Sequence, residues 1–191
     1  MREYPSLNTD RLLLRQFWPH EAGVVKSLAG AYEVSQGCLY IPHPYETGIA
    51  ETWIAFHELW HNEGTQTVFA ITRREDGWII GSIALVYDRD HARAELGYWI
   101  GAPFWSCGYA TEAAELVLVY AFEHQVMNKV TARFFRRNPA SGRVLEKIGM
   151  HREGILKKHM MKDGIYEDIV VCGVLCDEWR ARIKMNETRD R

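Results

Sequence analysis

The sequence predicts an α+β (mixed α/β) fold, a central mixed but mostly antiparallel sheet flanked by helices. Three observations carry this. The 191 residues are 47% hydrophobic and 12% aromatic, enough to bury a full core in a single domain spanning 1–191. Strand-like alternation and helical spacing trade places repeatedly, with no Ser/Pro-rich linker and no repeat between them. Three strand-like runs also follow one another between 66 and 101, close enough to pair as an antiparallel meander rather than build a bundle or a doubly wound sheet.

Taken in order, RLLLRQF (11–17) reads as the first strand, and Pro19 opens a helix through about Ala29, since proline is tolerated in a first helical turn. A loop rich in turn formers follows. From Glu46 to Glu63, Ala50, Trp53, Ile54, His57, Trp60 and His61 recur at spacings of three and four, one face of a helix that Gly64 ends. QTVFAITR (66–73), the turn REDG, WIIGSIALVY (78–87) and ARAELGYWIG (92–101) form the meander. Helical spacing returns with Ala114, Val117, Leu118 and Ala121, and KVTARFF (129–135) is again a strand. Asn138 and Pro139 start a short helix whose Val144, Leu145 and Ile148 precede Gly149 at the capping position. Two closing strands, near 150–161 and 165–176, meet at the turn KDG. The predicted order is therefore strand, two helices, three strands, helix, strand, helix, two strands.

Composition narrows the function. A net charge of -2 offers no basic surplus for a nucleic-acid backbone. No run of eighteen apolar residues and no signal-like start are present, so no membrane partner and a cytoplasmic location are expected. Cys38, Cys107, Cys172 and Cys176 include no C-x-x-C pair, which favours reduced thiols over disulfides or a cysteine zinc site. The charge-rich end DEWRARIKMNETRDR (177–191) reads as a short helix fraying into a solvated tail, or as a homodimer contact.

The most informative segment is AELGYWIGAPFWSCGYATEAAELVLVYAFE, running from the third meander strand into the long helix. Gly108 sits where a loop becomes a helix, so backbone N–H groups there can approach a ligand closely and the helix dipole favours a phosphate. TDRLLLR, IPHPY, ELGYWIG with PFWSCGYATEA, NPASGRVLEKIGM with REG, and GIYEDIVVCGVL occur in that order from Thr9 to Trp179. Together they resemble the GNAT acetyltransferase superfamily, in its branch related to ribosomal-protein N-terminal (Rim-type) acetyltransferases.

The resemblance implies that acetyl-CoA is the co-substrate and that no metal is needed. It implies a splay between the third meander strand and the next, with the pantetheine arm between them. Trp99 and Ile100 would border the thioester and supply a backbone donor to the oxyanion. Trp105, Ser106, Cys107, Gly108, Tyr109, Ala110 and Thr111 would meet the pyrophosphate, and Asn138 the pantetheine. Ser106 and Cys107 replace a glycine and a cation common in the family, which predicts the loss of a phosphate contact and weaker CoA binding. Cys107, near a helix N-terminus, is either a thiol able to pair with free CoA or a small residue that fits the loop. Glu95 is the proposed base for the attacking ammonium, or else a solvent-facing charge of an alternating strand. Ser141 would protonate the CoA thiolate, with Tyr109 as another phenolic donor, although Asn138 and Ser141 also suit a helix start. On the acceptor side Tyr45, His57, Tyr166 and Asp168 are the candidates, with His61 and Glu167 nearby.

HELWH (57–61) fits the H-E-x-x-H zinc pattern. The extended motif needs histidine at 67 and finds Thr67, so both histidines are expected as packing residues or pocket walls. The acceptor expected from the branch is a protein or peptide N-terminus, a ribosomal protein among them. A small-molecule amine, such as a polyamine, antibiotic or amino-acid analogue, is the alternative. A non-catalytic acyl-CoA sensor is the alternative of another class.

Overall fold

The computed structural model describes residues 3–189. Eight strands form one sheet: β1 (Leu7–Asn8), β2 (Leu12–Arg15), β3 (Gln66–Arg73), β4 (Ile79–Asp88), β5 (Arg93–Ile100), β6 (Lys129–Phe135), β7 (His151–Lys162) and β8 (Ile165–Leu175). The helices are α1 (Ala22–Ala29), α2 (Tyr32–Gly37), α3 (Ile49–Ala55), α4 (His57–Glu63), α5 (Tyr109–Val119), α6 (Pro139–Lys147) and α7 (Cys176–Arg189). The strand order is β1-β2-β3-β4-β5-β6-β8-β7, antiparallel at every pairing except β5 with β6. The expected mixed, mostly antiparallel sheet is thus present, with its meander at β3, β4 and β5.

The elements differ from the expected order in five places. A two-residue strand precedes the first predicted one, and the helix at Pro19 begins as a 3-10 turn. The segment after Ala29, expected as a loop, contains α2. The single helix expected over 46–63 starts only at Ile49, after Gly48 at φ 94°, and is divided at Phe56, whose N–H turns to the Trp53 carbonyl at 3.3 Å and tightens the turn. The C-terminal segment is a docked helix through Arg189. Trp179 packs on Phe122 at 5.2 Å between ring centroids, and Arg182 donates to the Lys147 carbonyl at 2.6 Å. Residues 190 and 191 of the expected tail lie outside the described residues.

Period-two alternation of the central strands feeds two cores, one on each face of the sheet. Phe69, Ile71, Leu96 and Ile100 point to the side of α5 and α6, whereas Val68, Ala70 and Trp99 point to that of α1 and α3. Gly142 allows α6 to lie directly on the sheet, since a Cβ there would stand 2.9 Å from the Phe134 ring. No helix of the described residues is long and apolar enough to cross a membrane.

Candidate active site

The single parallel pairing is also the place where the sheet opens. β5 and β6 are in register only from Arg93 opposite Lys129 to Leu96 opposite Ala132. Beyond that, residues 97–100 stay with β4 and residues 133–135 stay with β8, so the two strands part. A cleft of about 340 Å³ occupies the opening and reaches both faces of the sheet. Gly101 donates to the Ile80 carbonyl at 2.8 Å. In an antiparallel ladder every second residue turns its N–H to the same side, so Tyr98 and Ile100 turn theirs away from β4, toward the gap. One acceptor on that side is already used: the Trp105 indole N–H donates to the Ile100 carbonyl at 2.7 Å.

Alternation along β5 divides the side chains between the faces. Tyr98 points toward α6, where its hydroxyl meets Ser141 Oγ at 2.9 Å and the Ser141 carbonyl at 3.2 Å. Burial pushes the Tyr98 phenol up to about 12, against the smaller opposing effect of the Ser141 hydrogen bond. The pair therefore holds its protons at neutral pH. Asn138 caps α6 as a helix start should, its Oδ1 accepting from the Ser141 N–H at 3.2 Å, while its amide donates to the Gly37 carbonyl at 3.2 Å. Glu95 and Trp99 point the other way. Glu95 Oε1 lies 2.9 Å from Arg133 Nη2, and the same nitrogen donates to the Tyr40 hydroxyl at 3.0 Å. Both charged residues, Tyr40 and Tyr45 line the cleft, as does Trp53.

The loop into α5 has two residues in the left-handed region, Ser106 at φ 62° and Gly108 at φ 83°. No side chain caps the helix, and the first backbone bond of its N-terminus is from Glu112 to the Gly108 carbonyl at 3.1 Å. The amides of Tyr109, Ala110 and Thr111 are thus the donors that an α-helix leaves unpaired at its start. Free amides with the positive end of a helix dipole fit a diphosphate, and the opening beside β5 fits an extended arm. Cys107 is exposed, its thiol 3.4 Å from the Trp105 carbonyl.

A cation does reach this loop, from far away in sequence. Arg11 of the opening segment donates from Nε to Glu112 at 2.7 Å and from Nη1 to the Cys107 carbonyl at 3.2 Å, with its guanidinium carbon 4.9 Å from the Tyr109 ring centre. Thr9 also bonds Glu112. Tyr109 is therefore engaged by Arg11 at the first residue of α5, and its hydroxyl is not part of the Tyr98–Ser141 hydrogen bonding.

The structure brings Glu95, Trp99, Tyr45 and Ser141 together around the cleft, with Asn138 beneath and Ile100 on the buried α5 face. Trp105, Ser106, Cys107, Gly108, Tyr109, Ala110 and Thr111 form the adjoining loop and first turn. Three acceptor candidates lie elsewhere. His57 is 1% exposed and packed among Phe17, Trp53 and Trp60, with neither ring nitrogen hydrogen-bonded, and burial lowers its pKa to about 4. Asp168 pairs with Arg136 and accepts the Lys158 N–H at 2.9 Å, pinning an irregularity in β7. Tyr166 is an exposed residue of the closing hairpin and does not line the cleft. His61 meets Thr67 at 3.0 Å and the Glu3 carbonyl at 3.1 Å. HELWH is thus a packing helix, and no three His, Cys, Asp or Glu of the described residues are grouped to hold a metal ion.

Sequence reasoning missed Tyr98, Arg133, Tyr40 and Arg11. Alternation could have placed Tyr98 opposite Glu95 on its strand. Nothing local marks the other three, whose partners are 38 or more residues away.

Comparison with known proteins agrees with this geometry. Residues 11–151 match the Acetyltransferase (GNAT) domain family. The uncharacterized N-acetyltransferase YoaA of Bacillus subtilis is 31% identical over 176 residues, 90% of this chain and 97% of that protein. The [ribosomal protein uS5]-alanine N-acetyltransferase of Escherichia coli is 26% identical over 91% of this chain and 92% of its own length. The crystal structure of a GNAT-family acetyltransferase from Bacillus anthracis superposes with a TM-score of 0.78 at 25% identity, covering 91% of this chain and 99% of that one. With its opened sheet, its uncapped α5 and these matches, the chain belongs to the GNAT acetyltransferases and is an acetyl-CoA-dependent N-acetyltransferase.

Proposed function

We propose that this chain, as one domain acting in the cytoplasm, acetylates the N-terminal α-amine of a protein or peptide by direct attack of the amine on the thioester. The observation that carries the reading is the cleft through the sheet, with a carboxylate on one face and a proton-holding pair on the other. Acetyl-CoA supplies the activated acetyl group. The open edge of β5 would hold its arm, and the amides at the start of α5 would hold its diphosphate.

Within the cleft, Glu95 receives the proton of the attacking ammonium, directly or through a water, while its pairing with Arg133 fixes the carboxylate on the acceptor face. The Ile100 N–H, turned to the gap, donates to the developing negative charge in this reading. On the opposite face Ser141, hydrogen-bonded to Tyr98, supplies a proton to the departing thiolate. The relative acting on ribosomal protein uS5 supports a polypeptide acceptor.

The test uses two versions of one peptide containing an internal lysine, one with a free N-terminus and one blocked, each incubated with protein and acetyl-CoA. Mass spectrometry is expected to find one acetyl group, on the α-amine of the free peptide alone. Acetylation of the lysine, or none on either peptide, would refute the assignment.

A further inference from the structure

On the side of α1 and α3 the cleft is walled by Val25, Ala29, Tyr45, Ile49 and Trp53. Among the described residues lining the whole cleft, Glu95 is the sole carboxylate and Arg133 the sole cation, and the two are paired. The acceptor half therefore carries no unpaired charge, and its walls are apolar apart from the neutral polar groups of Tyr40, Tyr45, Gln66 and Ser82. Arg133 uses Nε and Nη2 for Glu95 and Tyr40, and its Nη1 makes no hydrogen bond to a described residue.

We infer that the acceptor is a polypeptide end whose first residue has a bulky apolar side chain, such as Met, Leu or Phe, and that Arg133 selects it by donating to its first carbonyl oxygen. This rests on the N-terminal reading above. An apolar side chain gains by leaving water against Val25, Ile49 and Trp53. A peptide end also carries, two bonds from its amine-bearing carbon, the carbonyl oxygen that a guanidinium binds well.

A polyamine meets the opposite conditions. Only its reacting amine could sit near Glu95. Its remaining ammonium groups would lose hydration beside apolar walls without a carboxylate to receive them, and the guanidinium would repel them. Specificity here comes as much from that penalty as from the fit of the preferred acceptor.

The experiment compares peptides identical except for the first residue (Met, Leu, Phe, Asp or Lys) with spermidine. It measures kcat/KM and, by calorimetry, binding to CoA-saturated protein. The apolar-first peptides are expected to exceed spermidine by on the order of a hundredfold or more, and to give binding heat where spermidine gives none. Arg133→Gln should raise their KM about tenfold. Ile49→Asp is the second variant. It adds a carboxylate to the wall at the first residue of α3, where the helix dipole favours it, and should narrow the gap to spermidine about tenfold. Spermidine turned over as well as the peptides, or an unchanged preference in Ile49→Asp, overturns the acceptor class and leaves N-acetyl transfer standing. Peptides that neither bind nor react, whatever their first residue, overturn the N-terminal reading as well.

Discussion

Replacing His57 with leucine should make the protein markedly less sensitive to acid. The imidazole is 1% exposed and enclosed by Phe17, Trp53 and Trp60, and neither nitrogen has a hydrogen-bond partner among the described residues. Burial alone lowers its pKa from 6.5 to about 4. Between those values the unfolded chain binds a proton that the folded chain refuses, so stability is complete above pH 6.5 and falls with pH until it levels off near pH 4. The total loss is roughly 3 kcal/mol, from 2.5 pKa units at 1.36 kcal/mol each. Between pH 7.5 and 5.0 it amounts to about 2 kcal/mol. Urea unfolding at these two pH values measures it directly. Wild type should lose about 2 kcal/mol more than His57→Leu, whose stability at pH 7.5 should be equal or higher because two unpaired buried nitrogens are gone. Equal losses in the two proteins would refute the assignment of a buried neutral imidazole.

Three further outcomes follow from the site. Arg11→Gln leaves the Glu112 carboxylate without its cation beside the amides at the start of α5 proposed to hold the diphosphate, so CoA affinity by calorimetry should fall about tenfold while pantetheine binding is unchanged; adding Glu112→Gln should restore much of the loss. Equal losses for both ligands would instead mean a general fault in folding. Tyr98→Phe and Ser141→Ala should each lower kcat about tenfold with little change in the KM for acetyl-CoA, and the double variant should lose little more than either single one, as expected for two hydroxyls acting as one proton donor. A change confined to KM would mean that the pair only positions the arm. Gly108→Val forces a β-branched residue to φ 83° and should abolish CoA binding at a stability cost of about 1–3 kcal/mol, read by calorimetry and thermal unfolding; wild-type affinity in that variant would remove the loop from the site.

Much of the fold was legible because its signals are local. β6 shows period-two alternation along its length, whereas β3 reads as a continuous run, buried on both faces and bounded by Gln66 and Arg73, with a charged turn before the next meander strand. Asn138, Pro139 and Gly149 punctuate α6 by their own backbone preferences. α2 escaped because its six residues are too few to establish a helical period. The divided helix escaped because the same apolar face continues across Phe56, while the break depends on backbone dihedrals.

The sequence alone therefore determined the mixed sheet, the loop before α5 and the family of the chemistry, since glycine position, strand period and ordered motifs are properties of contiguous residues. Which candidates share a cleft was decided by tertiary structure alone. His57 and Trp53 lie on one helical stripe, yet one is sealed in the core and the other lines the cleft. Arg133 becomes a partner of Glu95 because β6 is parallel to β5 at that level, and Arg11 reaches the α5 loop across 96 residues. Such meetings depend on strand order and on where β5 and β6 part, because the long-range packing that sets them leaves no period in the chain.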